Sequence, residues 1–396
     1  MSVSNRVKEG MKIGSWIRRM FEEGIAMKKQ YGDENVIDLS LGNPVMEPPP
    51  EFKAELRRVI ENPFPGMHGY MANAGYPETR AAIAAQLARE TGIKLTENDV
   101  IMAVGAAGAI NVALKTILDP GDEIIVFLPW FVDYFNYVQN HDGVVKVVPT
   151  DEGFMPKLDE LEAAIGPRTK GILIDSPNNP TGVVYSKELM QEMGDLLRKK
   201  EKEYGTEIFI VSDEPYKKLI YDGLKYPSPL NYHRHSIIAT SHSKDLSVPG
   251  ERIGYVALHP DCESHDEMMT GLTFCTRTLG FINAPALMQN VVRNLQQVTI
   301  PVEEYQRQRD FIYSNLVRMG YDVIKPQGAF YIFPKCPIED DVAFIHELQH
   351  EHRILTVPGI AFGVHGYFRL VYCVDNDTLE RAMPGLEAIA KKYKLI

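Results

Sequence analysis

Lys244 and Arg252 lie eight positions apart on the segment that begins Ser241-His-Ser-Lys244 and ends Arg252-Ile-Gly-Tyr255, directly after the apolar run Ile237-Ile-Ala-Thr240. A lysine enclosed beside other cations loses its proton more readily and becomes a nucleophile. An arginine nearby offers a planar, two-pronged donor for an anion. Two upstream segments suit the same chemistry. Ser176-Pro-Asn-Asn-Pro-Thr-Gly182 reads as a tight turn rich in amides, and Ser212-Asp-Glu-Pro-Tyr216 follows the apolar run Ile208-Phe-Ile-Val211 with a carboxylate and a phenol three residues apart. Gly105-Ala-Ala-Gly108 follows a strand pattern and opens a helical one, so its backbone N–H groups and the helix dipole face a common anion site. It lacks the Gly-x-Gly-x-x-Gly spacing of a dinucleotide site.

These segments need a scaffold, and the hydrophobic pattern supplies one. Near-continuous apolar runs occur at Val100–Val104, Glu123–Phe127, Val144–Val148, Gly171–Ile174, Ile208–Val211, Ser236–Thr240 and Ile253–Ala257. Such runs are expected of strands covered on both faces. Helical patterns separate many of them, at Glu78–Thr91, Ala107–Leu118, Phe131–Asn140, Lys157–Ile165 and Lys187–Tyr204. The alternation predicts an α/β/α sandwich with a mostly parallel sheet, and the motif segments fall beyond the carboxyl ends of its strands, where such sheets bind ligands. A second region opens with a charged helix at Glu303–Met319, continues with short strands at Asp322–Ile324 and Ala329–Phe333, and ends in a helix at Asp375–Lys392. The expected division is a large unit over 51–300 and a smaller, split α+β unit over 1–50 and 301–396.

With 396 residues the chain can bury a full core in each unit, and its net charge of -11 argues against a phosphate backbone as partner. The four cysteines, Cys262, Cys275, Cys336 and Cys373, lack metal or disulfide spacing. No apolar window is long enough for a membrane helix, and Met1–Lys12 lacks the apolar stretch of a secretion signal. These features fit a cytoplasmic protein without structural disulfides. His346-Glu-Leu-Gln-His350 matches a zinc-protease pattern, but Arg353 stands where the longer motif needs glycine, no clear third ligand follows, and a surface helix is the preferred reading. No metal is expected. Ser241-His-Ser-Lys244 also has the Ser-x-x-Lys form of serine acyl enzymes, whose partner motifs are absent.

In this order and spacing the motifs resemble the class I and II aminotransferases that use pyridoxal 5'-phosphate (PLP), on the fold type I scaffold. The resemblance runs from about Val36 to about Leu379. It implies that Lys244 holds PLP as a Schiff base and moves the substrate proton, that Asp213 faces the pyridine nitrogen, and that Tyr216 and Asn179 bond the phenolic oxygen. It further implies that Phe131, two residues after Pro129, stacks on the ring in preference to Trp130. Ala106, Ala107, Ser241 and Arg252 cup the phosphate. Arg369 clamps the substrate carboxylate, with Gly42 and Asn179 beside it. Tyr70 matches a tyrosine that crosses a dimer interface to the neighbour's phosphate, implying a homodimer with shared sites; the plain alternative is a ring packed on its own chain. The implied activity is transfer of an amino group from an L-amino acid to a 2-oxo acid, with a β-eliminating lyase or synthase as the alternative on the same scaffold. Two positions depart from the pattern: Gly42 is followed by Asn-Pro, and Gly105-Ala-Ala lacks hydroxyls. The substrate side chain is left open, with Arg18 and Arg277 as candidate second cations and Trp16, Tyr70 and Phe131 suited to a bulky group.

Overall fold

A computed structural model describes residues 3–13 and 15–396, without the side chains at 9, 12, 13, 15–19 and 21. Strand β1 (Ile37–Asp38) belongs with the C-terminal part of the chain. Seven strands follow, β2 (Val100–Ala103), β3 (Glu123–Phe127), β4 (Val144–Val148), β5 (Thr169–Asp175), β6 (Phe209–Asp213), β7 (Ser236–Ser241) and β8 (Gly254–Leu258). They form one sheet in the order β2-β8-β7-β6-β5-β3-β4. Every neighbouring pair is parallel except the two that involve β8.

The reversed direction of β8 matters for the site. A parallel partner demands a crossover, usually helical, whereas an antiparallel one lets the chain turn straight back. The connection from Ser241 to Gly254 therefore stays at the carboxyl end of β7, and it carries both Lys244 and Arg252.

Strands β2, β5, β6, β7 and β8 are buried along almost their whole length. On one face Ile101, Val126, Leu173, Val211 and Val256 pack with Ile110, Leu114 and Leu272 from the helices Gly105–Ile117 and His265–Thr278. On another, Met102, Ile238 and Ala257 meet Ile83, Leu87 and Val291 from Pro77–Thr91 and Ala286–Val292. This is the expected layered sandwich. Strand β4 departs from the expectation of two covered faces: as the last strand it leaves Val144 and Val147 exposed.

The C-terminal part holds strands β9 (Tyr331–Ile332), β10 (Ile354–Leu355), β11 (Val357–Pro358) and β12 (Phe368–Val371). Strand β1 pairs in parallel with β10, tying the N-terminal segment here. One core joins Tyr305, Ile312, Phe344, Leu379 and Leu386 with Ile37, Leu39, Tyr216 and Leu219, so it reaches the loop after β6. The terminal helix spans Asn376–Lys392, with Asp375 as its cap accepting from the Thr378 N–H at 2.8 Å. Two expected strands need correction. Asp322–Ile324 is no strand, since its one backbone tie is Lys335 N–H donating to Asp322 O at 2.9 Å and it meets no sheet edge. Of Ala329–Phe333 only Tyr331–Ile332 pairs, against β12, because Ala329 takes a positive φ of 57° that breaks an extended run. His346 and His350 lie on the helix Asp341–His352, which buries Phe344, Ile345 and Leu348. Among the described residues no helix is long and apolar enough to cross a membrane.

Candidate active site

A cavity of about 310 Å³ opens beyond the carboxyl ends of β5, β6 and β7. Its walls include Gly42, Ala106, Ala107, Phe131, Asn179, Asp213, Tyr216, Ser241, Lys244, Arg252 and Arg369. These residues come from seven stretches of sequence, yet every one was singled out above. Tyr70 is the exception: it is 92% exposed and does not line the cavity, which excludes a ring packed on its own chain. Arg277 sits over the ring of Phe274, outside the cavity. The side chains of Trp16 and Arg18 lie outside the described residues.

The Lys244 amine donates to Gly42 O at 2.7 Å and stands 5.3 Å from the centre of the Phe330 ring. Burial lowers its pKa to about 8, and the charges of Arg369 and Arg252 push the same way. An amine with that pKa is partly neutral at physiological pH, as a nucleophile requires. Ser241 Oγ donates to Ser243 Oγ at 3.0 Å while the Lys244 amine is held by Gly42 O. The pair is therefore not poised as a serine nucleophile and its base. Gly42 leaves room for Tyr331: a Cβ there would lie 2.1 Å from Tyr331 Oη and force that side chain to shift.

At the end of β6, Asp213 Oδ2 accepts from Tyr134 Oη at 2.7 Å, while Oδ1 is buried without a partner. In-register pairing sets Asp175, at the end of β5, directly beside Asp213. Side chains at paired positions of adjacent strands share a face. Asp175 Oδ2 accepts from Asn179 N–H at 2.9 Å, and its Oδ1 also lacks a partner. Burial pushes Asp213 up to about 7, with the nearby charge of Glu214 adding to the rise and the Tyr134 bond opposing it. Asp175 is raised as well, by burial first and by Asp213 second. Two buried carboxyls with open oxygens form a place where a cationic N–H is wanted.

The anion end is built from backbone. Gly105 has φ 73°, and a Cβ on it would lie 2.5 Å from Arg252 Nη2, so the guanidinium rests against bare main chain. The first N–H groups of the helix Gly105–Ile117 open toward the same space through Ala106 and Ala107. Arg252 itself is exposed to this space, with Nη1 donating to Pro249 O at 3.0 Å.

Arg369 is only 3% exposed. It is sandwiched between the rings of Tyr331 and Phe362, 4.8 and 4.9 Å from their centres. One arm donates to Asn179 Oδ1 at 2.9 Å and the other to Ser40 O, and Nε is left without a partner. A buried guanidinium facing a cavity with no carboxylate beside it is ready for an external one.

Sequence reading missed Asp175, Tyr134, Tyr137, Ser243 and Tyr331. Asp175 carried a usable signal, because two adjacent predicted strands each run into an aspartate. Tyr331 carried none: its Oη lies 2.6 Å from that of Tyr216, 115 positions away, and only the packing of the C-terminal part brings the two together. Trp130 stays outside the cavity while Phe131 lines it.

This layout gathers a partly buried lysine, a pair of buried aspartates and a buried arginine on one cavity at the carboxyl ends of a mostly parallel sheet, and it is shared with known aminotransferases. The family model "Aminotransferase class I and II" matches residues 34–386, and the chain belongs to that family. Among similar proteins are a probable aspartate/prephenate aminotransferase of Thermus aquaticus, 31% identical over 88% of this chain and 90% of its own, and the aromatic-amino-acid aminotransferase 2 of Thermococcus litoralis, 31% identical over the whole of both. Among solved structures, an amino transferase from Eubacterium rectale superposes with a TM-score of 0.94 at 37% identity, covering 99% of each chain. The aspartate aminotransferase of Thermotoga maritima gives 0.87 at 29% identity, covering 98% of this chain and all of its own. The protein is therefore an enzyme, a transaminase of fold type I, and members of its family depend on PLP.

Proposed function

We propose that this enzyme binds PLP in the cavity described above, with Lys244 as its covalent anchor and catalytic base, and moves an amino group from an L-amino acid to a 2-oxo acid. The observation that carries the reading is the open oxygen of buried Asp213 on the same cavity as the Lys244 amine. A group with a cationic ring N–H at one end and an anion at the other meets Asp213 at the first and the Gly105–Ala107 backbone, Ser241 and Arg252 at the second. Bound there, PLP supplies an electron sink for the charge left on the substrate α-carbon.

The chain's own residues do the rest. Arg369 and Asn179 fix the substrate carboxylate, with the Gly42 backbone alongside, so that the α-carbon proton is presented in one orientation. Lys244 Nζ takes and returns that proton, a task suited to an amine titrating near neutrality. Tyr216 steadies the phenolic oxygen, and Phe131 covers the ring.

We extend the proposal to the assembly. The exposed phenol of Tyr70 fits a residue reaching into a second copy, giving a homodimer with shared sites, and the larger unit spans 51–300 with 1–50 and 301–396 forming the smaller one. A cytoplasmic location agrees with the composition. The substrate side chain stays open between the aspartate and aromatic acids named among the relatives. PLP-loaded enzyme given an amino acid but no oxo acid should release one 2-oxo acid per site and no ammonia. Continuous release of ammonia would replace this reading with a β-eliminating one.

A further inference from the structure

The opposite, amino-terminal ends of β6 and β7 hold a second, partly buried cluster that the transaminase reaction does not use. His233 and His235 precede β7 at alternate positions, and their rings lie 5.5 Å apart between centroids. Glu201, in the last turn of the helix Lys187–Tyr204, reaches both. Its Oε1 is 2.5 Å from His235 Nδ1 and 3.4 Å from His233 Nε2, and it accepts from Ile208 N–H at 2.9 Å. On the far side of His235, Nε2 lies 2.7 Å from Glu263 Oε2 and 3.8 Å from Glu207 Oε1. His233 is buried, with Nε2 2.9 Å from Ile208 O and Nδ1 without any partner.

We infer that Glu201, His233 and His235 form a binding site for one divalent transition ion of the zinc type. Two imidazole nitrogens and one carboxylate oxygen make a borderline donor set that suits Zn²⁺ far better than the oxygen-seeking Mg²⁺ or Ca²⁺. Ligand atoms about 2.0–2.1 Å from a tetrahedral ion stand about 3.3 Å from one another. The spacing of His233 Nε2 from Glu201 Oε1 is already 3.4 Å, and that of His235 Nδ1 opens from 2.5 Å by less than one ångström, within the swing of a glutamate in the final turn of a helix.

The surrounding groups favour the exchange. Three carboxylates, Glu201, Glu207 and Glu263, face His235. Arg234 answers Glu263, and a proton on His235 answers one more. A divalent ion takes the place of that proton between Nδ1 and Glu201. His235 Nε2–H then donates to Glu263, which is the carboxylate–histidine–metal arrangement that orients ligating histidines. The cost is the bond from His233 to Ile208 O: Nε2 ligates only after its proton moves to Nδ1, which has no partner. Glu201 and His235 line an open surface cavity, which provides entry and water for the fourth position. The ion would clamp the end of the helix to the residues that precede β7, remote from the reaction.

The test is calorimetric titration of PLP-loaded enzyme with Zn²⁺. One site with a dissociation constant in the low micromolar range or tighter is expected, weakened at least about tenfold in Glu201→Gln and in His233→Ala, with transaminase activity unchanged. Titration with Co²⁺ gives a second readout on the unaltered chain, since tetrahedral nitrogen–oxygen ligation gives an intense visible band. No saturable binding, or binding lost in His346→Ala but kept in the two variants, would overturn the site. So would an octahedral Co²⁺ spectrum.

Discussion

The two ends of β6 and β7 carry similar residues in opposite states. At the amino end, Glu201, His235, Glu263 and Arg234 meet in complementary pairs, and burial is compensated by partner charges. At the carboxyl end, about five residues or roughly 17 Å along the strands, Asp175 and Asp213 stand side by side with like charge and open oxygens. The amino end sets carboxylates against cations and leaves only His233 Nδ1 open; the carboxyl end leaves carboxylate oxygens of like charge open. Buried groups left without partners are costly, so their concentration at one end marks where a ligand completes the structure.

The largest effect that tests this contrast is chemical. Lys244→Ala should lower turnover by more than about 10⁴-fold while PLP still binds noncovalently, because the proposed roles of nucleophile and proton carrier both fall on its amine. Steady-state rates and equilibrium dialysis of PLP check it. Substantial residual turnover would show that the carboxyl end is not the reaction centre.

The second effect is a pH slope of opposite sign at the two ends, read as thermal stability of cofactor-free, metal-free protein. The native pKa of Asp213 is raised to about 7, so from about pH 4 to 7 the folded chain holds a proton that the unfolded chain releases. Stability therefore falls as pH rises through that window, and Asp213→Asn should remove that part of the fall, by a few kcal/mol. Glu201 is the reverse. It is 11% exposed, and its two histidine partners and the Ile208 N–H hold it down to about 2 against the opposing effect of burial. Its contribution is full above about pH 4.5 and is lost as pH falls toward 2. Glu201→Gln should cost on the order of 2 kcal/mol at pH 7 and nothing near pH 2, with kcat unchanged. Equal slopes in both variants would erase the distinction between the ends.

The smallest effect concerns shape alone. Gly42→Ala drives a Cβ against Tyr331 Oη, so the Tyr216–Tyr331 contact must shift. Stability should fall by about 1–3 kcal/mol, and KM for the amino acid should rise more than kcat falls. Paired denaturation and kinetic measurements check this.

Much of the reaction end was legible because its chemistry sits on local motifs. The Asn-Asn-Pro-Thr-Gly turn, the Asp213–Tyr216 spacing and the Lys244–Arg252 connection are short-range patterns at strand ends, and apolar runs locate such ends well. What escaped depends on distant pairing. Asp175 becomes significant only through its register with Asp213, and Tyr331 only through the packing that sets its hydroxyl against that of Tyr216, 115 positions away. The same holds for the amino end: the His233-Arg-His235 spacing is visible, but Glu201 joins it only once the helix Lys187–Tyr204 is laid back across the sheet. Tyr70 is the converse, a residue singled out by its motif that the single chain leaves facing solvent.

The central claim is that the Lys244 amine is the group that joins the cofactor. Borohydride treatment of the PLP-loaded enzyme, followed by peptide mapping, tests it directly. One modified peptide carrying the pyridoxyl mass on Lys244 is the predicted result; the label on another lysine, or no label on a fully loaded enzyme, would contradict it.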